Sequence, residues 1–178
     1  METHTDSQKA QTQPTVEDYP LTPENEERVR RAVELFGQGY NCSQSVVAAF
    51  ADLYGMSHDT ALRVSASFGG GIGRMRQTCG AACGMFVLAG LDCGSTDGAD
   101  REGKSHNYAV VQRLAEEFKS ENGSLVCAEL LGLKKPEGTP EASERTAQYY
   151  KKRPCAKMVE TAARLFARYL EENTAQGA

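Results

Sequence analysis

The stretch 68–94, FGGGIGRMRQTCGAACGMFVLAGLDCG, decides how the rest of the chain is read. Gly69, Gly70, Gly71 and Gly73 are crowded into its start. Such glycines lose more backbone entropy on folding than other residues, and they occur where a chain needs positive φ or a close backbone approach. Met85, Phe86, Val87, Leu88 and Ala89 follow with no charge among them, and a helix without a polar face is a buried one. Cys79 sits at the junction, in what reads as the first turn of that buried helix. A first turn presents N–H groups lacking intrahelical partners and the positive end of the macrodipole, and both favour thiolate over thiol. The effect is about 1 kcal/mol, roughly one pKa unit. Arg74 and Arg76 are close enough in sequence to add to it.

Upstream, Thr22 as N-cap and Pro23 at the first position open a helix with Val29, Ala32, Val33 and Phe36 at i, i+3, i+4 and i+7, stopped by Gly37 and Gly39. Asn41 caps a second helix carrying Val46, Val47, Phe50 and Leu53 and closed by Gly55, which places Cys42 in its first turn. Ser57 caps a third, with Ala61, Leu62, Val64 and Phe68, that runs into the glycine cluster. Downstream, the helix beginning near Cys79 ends by Gly90, and a polar loop containing Cys93 follows. An amphipathic helix over 106–119 presents Val110, Val111, Leu114 and Phe118, and Ser124 caps a short helix with Cys127 in its first turn. The polar segment 134–153 reads as a surface excursion with one helical piece over 141–150. Pro154 starts the last helix, with Cys155 beside it and Val159, Ala162, Ala163, Phe166 and Leu170 as its buried stripe.

No segment alternates with period two over a strand's length. The expected fold is therefore all-α, a compact bundle of about six helices in which a Gly-rich loop leads into a buried central helix. The expected plan is a disordered or loosely docked tail over 1–22, one helical domain over 23–172 and a short tail over 173–178.

With 178 residues, 40% of them hydrophobic, the chain supports one domain with a substantial core. Its net charge of −4 is spread over both signs without a basic block, which argues against nucleic acid as a partner. It contains no apolar run long enough for a membrane span. The first residues lack the basic and apolar regions of a signal peptide, so the expected location is cytoplasmic. In that compartment the six cysteines, at 42, 79, 83, 93, 127 and 155, are expected as reduced thiols rather than three disulfides. The fourth helix is more apolar than a small bundle needs, which points to a homodimer.

Cys42, Cys79, Cys127 and Cys155 each fall in the first turn of a different expected helix. A bundle gathering those starts at one end would bring four sulfurs among N–H groups and positive dipole ends, an environment that stabilises thiolates, which are both nucleophiles and metal ligands. Two chemistries follow. In thiol redox chemistry, a low-pKa cysteine, Cys79 or Cys42, attacks a small-molecule oxidant or disulfide, or a redox partner, and a second cysteine on another helix resolves it. In the second, the same four cysteines ligate a metal or iron–sulfur cluster, with Cys83 able to join because it shares a helix face with Cys79 at i, i+4. Third, the cysteines simply pack, in a helical binding or assembly module.

These residues carry a resemblance. Gly-Tyr-Asn-Cys-Ser-Gln-Ser at 39–45, Phe-Gly-Gly-Gly-Ile-Gly-Arg at 68–74, Cys-Gly-Ala-Ala-Cys-Gly at 79–84, Cys-Ala-Glu-Leu-Leu-Gly at 127–132 and Cys155 resemble the redox-active family named for its C…CGAxxG…C…C pattern, over about 26–170. The resemblance implies that Cys42, Cys79, Cys127 and Cys155 are the signature cysteines, with Cys83 on a variable position and Cys93 outside. It also implies a small all-helical protein. A related domain in split-Soret cytochromes is associated with an iron–sulfur cluster as well as haem. This chain has no C-x-x-C-H, so covalent haem is not expected.

The glycine cluster follows a helix rather than a strand and fits neither G-x-G-x-x-G nor the P-loop. Gly70, Gly71, Gly73 and Arg74, with Gly80 just beyond, are expected either as a backbone nest for an anion or cofactor or as a helix-packing device. The run Lys151, Lys152, Arg153 reads as a solvated surface with a secondary capacity to lower the pKa of Cys155.

Overall fold

The structure is a computed structural model and describes residues 15–135 and 138–176. Among these residues there are eight α-helices and no strand: α1 (Pro23–Gly37), α2 (Cys42–Phe50), α3 (His58–Ser65), α4 (Gly80–Cys93), α5 (Arg101–Asn122), α6 (Cys127–Leu130), α7 (Ala147–Lys152) and α8 (Cys155–Gln176). The fold is all-α, and all but the short α6 and α7 make up the bundle.

Local chemistry sets the helix starts. The Thr22 hydroxyl accepts from the Asn25 N–H ahead of Pro23. At α2 the Asn41 side chain accepts from the Gln44 N–H at 3.0 Å, and the Gln44 side chain accepts from the Asn41 N–H at 3.1 Å, a reciprocal box that satisfies two orphan donors. Ser57 caps α3. Two expected helices stop early: α2 passes into a 3₁₀ turn at Ala51–Tyr54 before Gly55, and α3 into another at Ala66–Phe68; within α3, Val64, expected on the apolar face, is exposed. Two run longer. α4 continues through Cys93, so that cysteine ends a helix, and α5 starts at Arg101 because the Asp100 carboxylate accepts from the Gly103 N–H at 2.8 Å. The first two turns of α5 carry no apolar stripe, so periodicity alone starts it later.

α2 is buried at every position but Gln44 and packs against α1, α3, α4 and α8. It shares the centre with α4. Phe50 on α2 meets Phe166 on α8 edge to face at 5.2 Å, and Phe36, Phe118, Met85, Leu88 and Leu114 complete the core. Met85, Leu88 and Ala89 of α4 are thus covered within one chain, which absorbs most of the apolar character that pointed to a dimer.

The N-terminal segment is partly tied down. Val16 is buried, its N–H donates to Glu121 at 2.8 Å, Glu17 pairs with Lys157, and the Thr22 N–H and hydroxyl both donate to Glu171. The rest of the expected tail, 1–14, and residues 177–178 lie outside the described residues. α8 runs through Gln176, into the expected C-terminal tail. No helix is long and apolar enough to cross a membrane among the described residues.

Candidate functional site

Cys42 is the first residue of α2, Cys79 the N-cap of α4, Cys127 the first residue of α6 and Cys155 the first of α8. Their starts meet around a single cavity of about 530 Å³ that all four cysteines line. Three pieces of irregular chain hold them there.

The first is the glycine run. Gly70, Gly71, Ile72, Gly73 and Arg74 all have φ between 57° and 73°, and Arg76 has φ 60°, so the backbone makes a left-handed coil of nearly consecutive residues. An L-residue in this region costs roughly 1–2 kcal/mol, and a β-branched one such as Ile72 is a true outlier. The cost is offset by hydrogen bonds: the N–H groups of Ile72, Gly73, Arg74, Met75, Arg76 and Gln77 all donate to carbonyls within 67–72. Those N–H groups are thus bonded within the loop itself, and Gly70, Gly71, Gly73 and Gly80 form cavity wall. Gly71 is required for a second reason. A Cβ there would stand 2.6 Å from Cys127 Cβ and 2.9 Å from Arg76 Cα.

The second piece is a clip. The Cys79 N–H donates to the Leu125 carbonyl at 2.7 Å, the Cys127 N–H to Gln77 at 2.6 Å and the Ala128 N–H to Arg76 at 3.1 Å, with Thr78 and Val126 bridged antiparallel. These bonds set the starts of α4 and α6 side by side. At Gly80 a Cβ would lie 2.8 Å from the Phe68 carbonyl oxygen and 3.4 Å from Cys42 Cβ, so glycine there lets α4 begin against α2.

The third is the segment around 138–146, the expected surface excursion. It is mostly exposed, yet Pro140, Ala142, Ser143 and Arg145 line the cavity, followed by Tyr149 and Arg153. Arg74 fastens it, donating to the Glu141 carbonyl and, at 3.2 Å, to the Ser143 hydroxyl. Arg145 stacks 4.5 Å over Tyr149 and 5.1 Å over Phe36, and Arg153 lies 4.8 Å over Tyr149. Among the described residues Arg74, Arg76, Arg145 and Arg153 line the cavity and no acidic residue does, although the chain holds 24. Arg145 and Tyr149 carry no signal in the sequence; the run ending at Arg153 does.

The thiols respond differently to this setting. The interaction with the Cys155 thiol first, then burial, raises Cys42 well above the usual thiol range. The same interaction is the main cause that brings Cys155 down to about 7, against its burial and with help from Arg153, Arg145 and Arg76. At Cys79 the N–H groups of Ala81 and Ala82 do pull the pKa down, but burial outweighs them and leaves it at about 12. Burial likewise raises Cys127, opposed by a hydrogen bond from Arg76. The expectation that Cys79 or Cys42 carries the low pKa is corrected: helix starts favour thiolates, but loss of water decides when the sulfur is sealed in.

Cys83 is buried one turn into α4 with its sulfur 3.9 Å from the Thr78 carbonyl oxygen, and burial raises it to about 11. Cys93 lies at the other end of α4. All six cysteines are free thiols. An iron–sulfur or other metal site needs three or more donors gathered within reach of one ion. Among the described residues no such group of His, Cys, Asp or Glu is assembled, so the four cysteines as placed do not fit a ligand set.

Compared with known proteins, residues 40–169 match the family model described as "Putative redox-active protein (C_GCAxxG_C_C)", a span that contains every cysteine lining the cavity. No curated protein and no solved structure matches the chain.

Proposed function

Since the chain belongs to this C_GCAxxG_C_C redox-active family, we propose that its redox chemistry is dithiol–disulfide exchange, with Cys155 as nucleophile and Cys42 as resolving thiol. The observation that carries the reading is that Cys42 and Cys155, each the first residue of a helix, line one cavity together with Arg76, Arg145 and Arg153, and that the two thiols interact electrostatically. The lowered pKa gives Cys155 a larger thiolate fraction near neutral pH than an ordinary thiol, and the thiolate is the attacking form. Burial keeps Cys79 protonated there.

The electrons balance without a further cofactor. The Cys155 thiolate attacks one sulfur of a disulfide, forming a mixed disulfide as the old S–S bond breaks and releases the first thiolate. Cys42 loses its proton to that thiolate and attacks the Cys155 sulfur. The Cys42–Cys155 disulfide forms, and the second half leaves as a thiolate. Two electrons pass from protein to substrate, and an external dithiol restores the pair. Cys79 and Cys127 remain protonated beside it, as a second sulfur pair in the same cavity.

Mild oxidation of the reduced protein followed by peptide mapping under acid-quenched alkylation tests this. The expected product links Cys42 to Cys155. A first-formed bond between any other two cysteines, or no bond at all with metal bound in stoichiometric amount, would remove the assignment.

A further inference from the structure

The cavity wall shows what kind of disulfide it receives. Among the described residues its charged side chains are all arginines, in a chain whose net charge is −4. Two of them already have work in the wall, Arg74 on the roof segment and Arg76 on Cys127. Arg145 is placed differently. Its guanidinium lies over the Phe36 and Tyr149 rings, which sit side by side, and its Nη2 donates to the Tyr40 carbonyl at 3.4 Å, while its Nη1 is buried with no hydrogen-bond partner. A buried donor in that condition is unfavourable, and a small shift of the Arg145 side chain toward an anionic oxygen in the cavity it lines would satisfy it. A guanidinium stacked on rings keeps its edge free for the forked contact that carboxylates fit. Leu130, Leu131, Pro140 and Met158 supply apolar wall for short methylene arms, and about 530 Å³ suits a small molecule rather than a peptide chain.

We propose, resting on the dithiol reading above, that the substrate is a small disulfide bearing carboxylates, whose charge is received by Arg145 with Arg153 beside it. The same cations then stabilise the thiolate released when Cys155 attacks and the substrate S–S bond breaks, so the positive wall serves binding and leaving group together. The remaining steps, protons and electrons are those given above.

The test uses the full reduced chain at pH 7 without oxygen and three disulfides that share two-carbon arms but differ in charge: 3,3′-dithiodipropionate, bis(2-hydroxyethyl) disulfide and cystamine. The rate of Cys42–Cys155 bond formation is read by acid quench and mass spectrometry, each divided by the rate with dithiothreitol to remove intrinsic differences between the disulfides. The expected order is dianion, neutral, dication, with the dianion about tenfold ahead of the neutral compound. That ratio should shrink as salt rises. In Arg145→Gln the ratio should fall toward one, and Arg145→Lys should recover part of it. The ratio is the readout because loss of Arg145 also slows every disulfide through Cys155. If the neutral and dianionic compounds oxidise the wild-type pair equally, the substrate proposal is overturned and the dithiol reading stands. If none of the three forms the Cys42–Cys155 bond, both fall together.

Discussion

Helix α4 carries a cysteine at each end, and the two ends follow opposite plans. At its start, Cys79 faces a cavity walled by arginines, glycines and the beginnings of α2, α6 and α8. At its finish, the Cys93 thiol donates to the Ala89 carbonyl at 3.2 Å and accepts from Asn107 at 3.4 Å. Beside it, Asp92 accepts from the Tyr54 hydroxyl at 3.1 Å and the Tyr169 hydroxyl at 2.8 Å. Burial first, then the Asp92 carboxylate, pushes both phenols above their usual range, which keeps them as donors. One end concentrates positive charge with a strained backbone around thiols. The other pairs a carboxylate with neutral donors and fastens α4 to α8. The difference teaches that sulfur in a helical bundle becomes chemically distinctive through the charges and backbone ends around it, while the same residue elsewhere serves as a tether.

That contrast can be broken outright. Cys155→Ser should cut the fast phase of iodoacetamide labelling at pH 7 by about 100-fold or more, whereas Cys93→Ser should leave it unchanged; equal losses would erase the distinction. Sharpening it needs a pH profile. In the wild type, labelling of Cys155 should rise through about pH 7 and level off above it, because the thiolate is the reactive form. In Cys42→Ala the interaction that lowers Cys155 is gone, so the inflection should move to higher pH by about one to two units, comparable to a hydrogen bond to a charged group. An unmoved inflection would assign the shift to the arginines alone.

Stability gives the next comparison. Gly71→Ala places a side chain at φ 73° against Cys127 and Arg76, and should lower stability by about 2 kcal/mol or more in denaturant unfolding, together with loss of the fast thiol. Tyr169→Phe at the other end removes one hydrogen bond to Asp92, and should cost about 1 kcal/mol while Cys155 reacts as before. A change in Cys155 reactivity in that variant would show that the two ends communicate through α8.

Much of the architecture could be read from caps. Thr22-Pro23, Asn41 with Gln44, and Ser57 start helices where the structure has them, because those side chains satisfy donors within three residues of themselves. The Asn41 cap also placed Cys42 at a helix start, whereas α4 and α6 start at Cys79 and Val126 without any side-chain cap, so the expected Ser124 cap is not what sets Cys127. What lies beyond a few residues was hidden. That Ile72, Arg74 and Arg76 share the left-handed conformation of the glycines depends on their carbonyl partners at 67–72 and on the clip to 125–128. That Cys155 rather than Cys79 carries the low pKa depends first on its interaction with Cys42, then on the heavier burial of Cys79 and on Arg153 and Arg145, the last brought from a stretch that reads as solvent-facing.

The roof over the cavity is attached by side chains. Among the described residues, Arg74, Arg145 and Tyr150 hydrogen-bond 138–150 to the bundle, Tyr150 through its hydroxyl on the Phe36 and Gly37 carbonyls, and Tyr149 packs against Phe36. No ladder of main-chain bonds commits it to one sequence. Its residues can therefore be exchanged, and with them the charge at the entrance, while the sulfurs, the glycine coil and the helix caps keep their places. In such an arrangement the choice of guest and the chemistry performed on it are free to evolve separately.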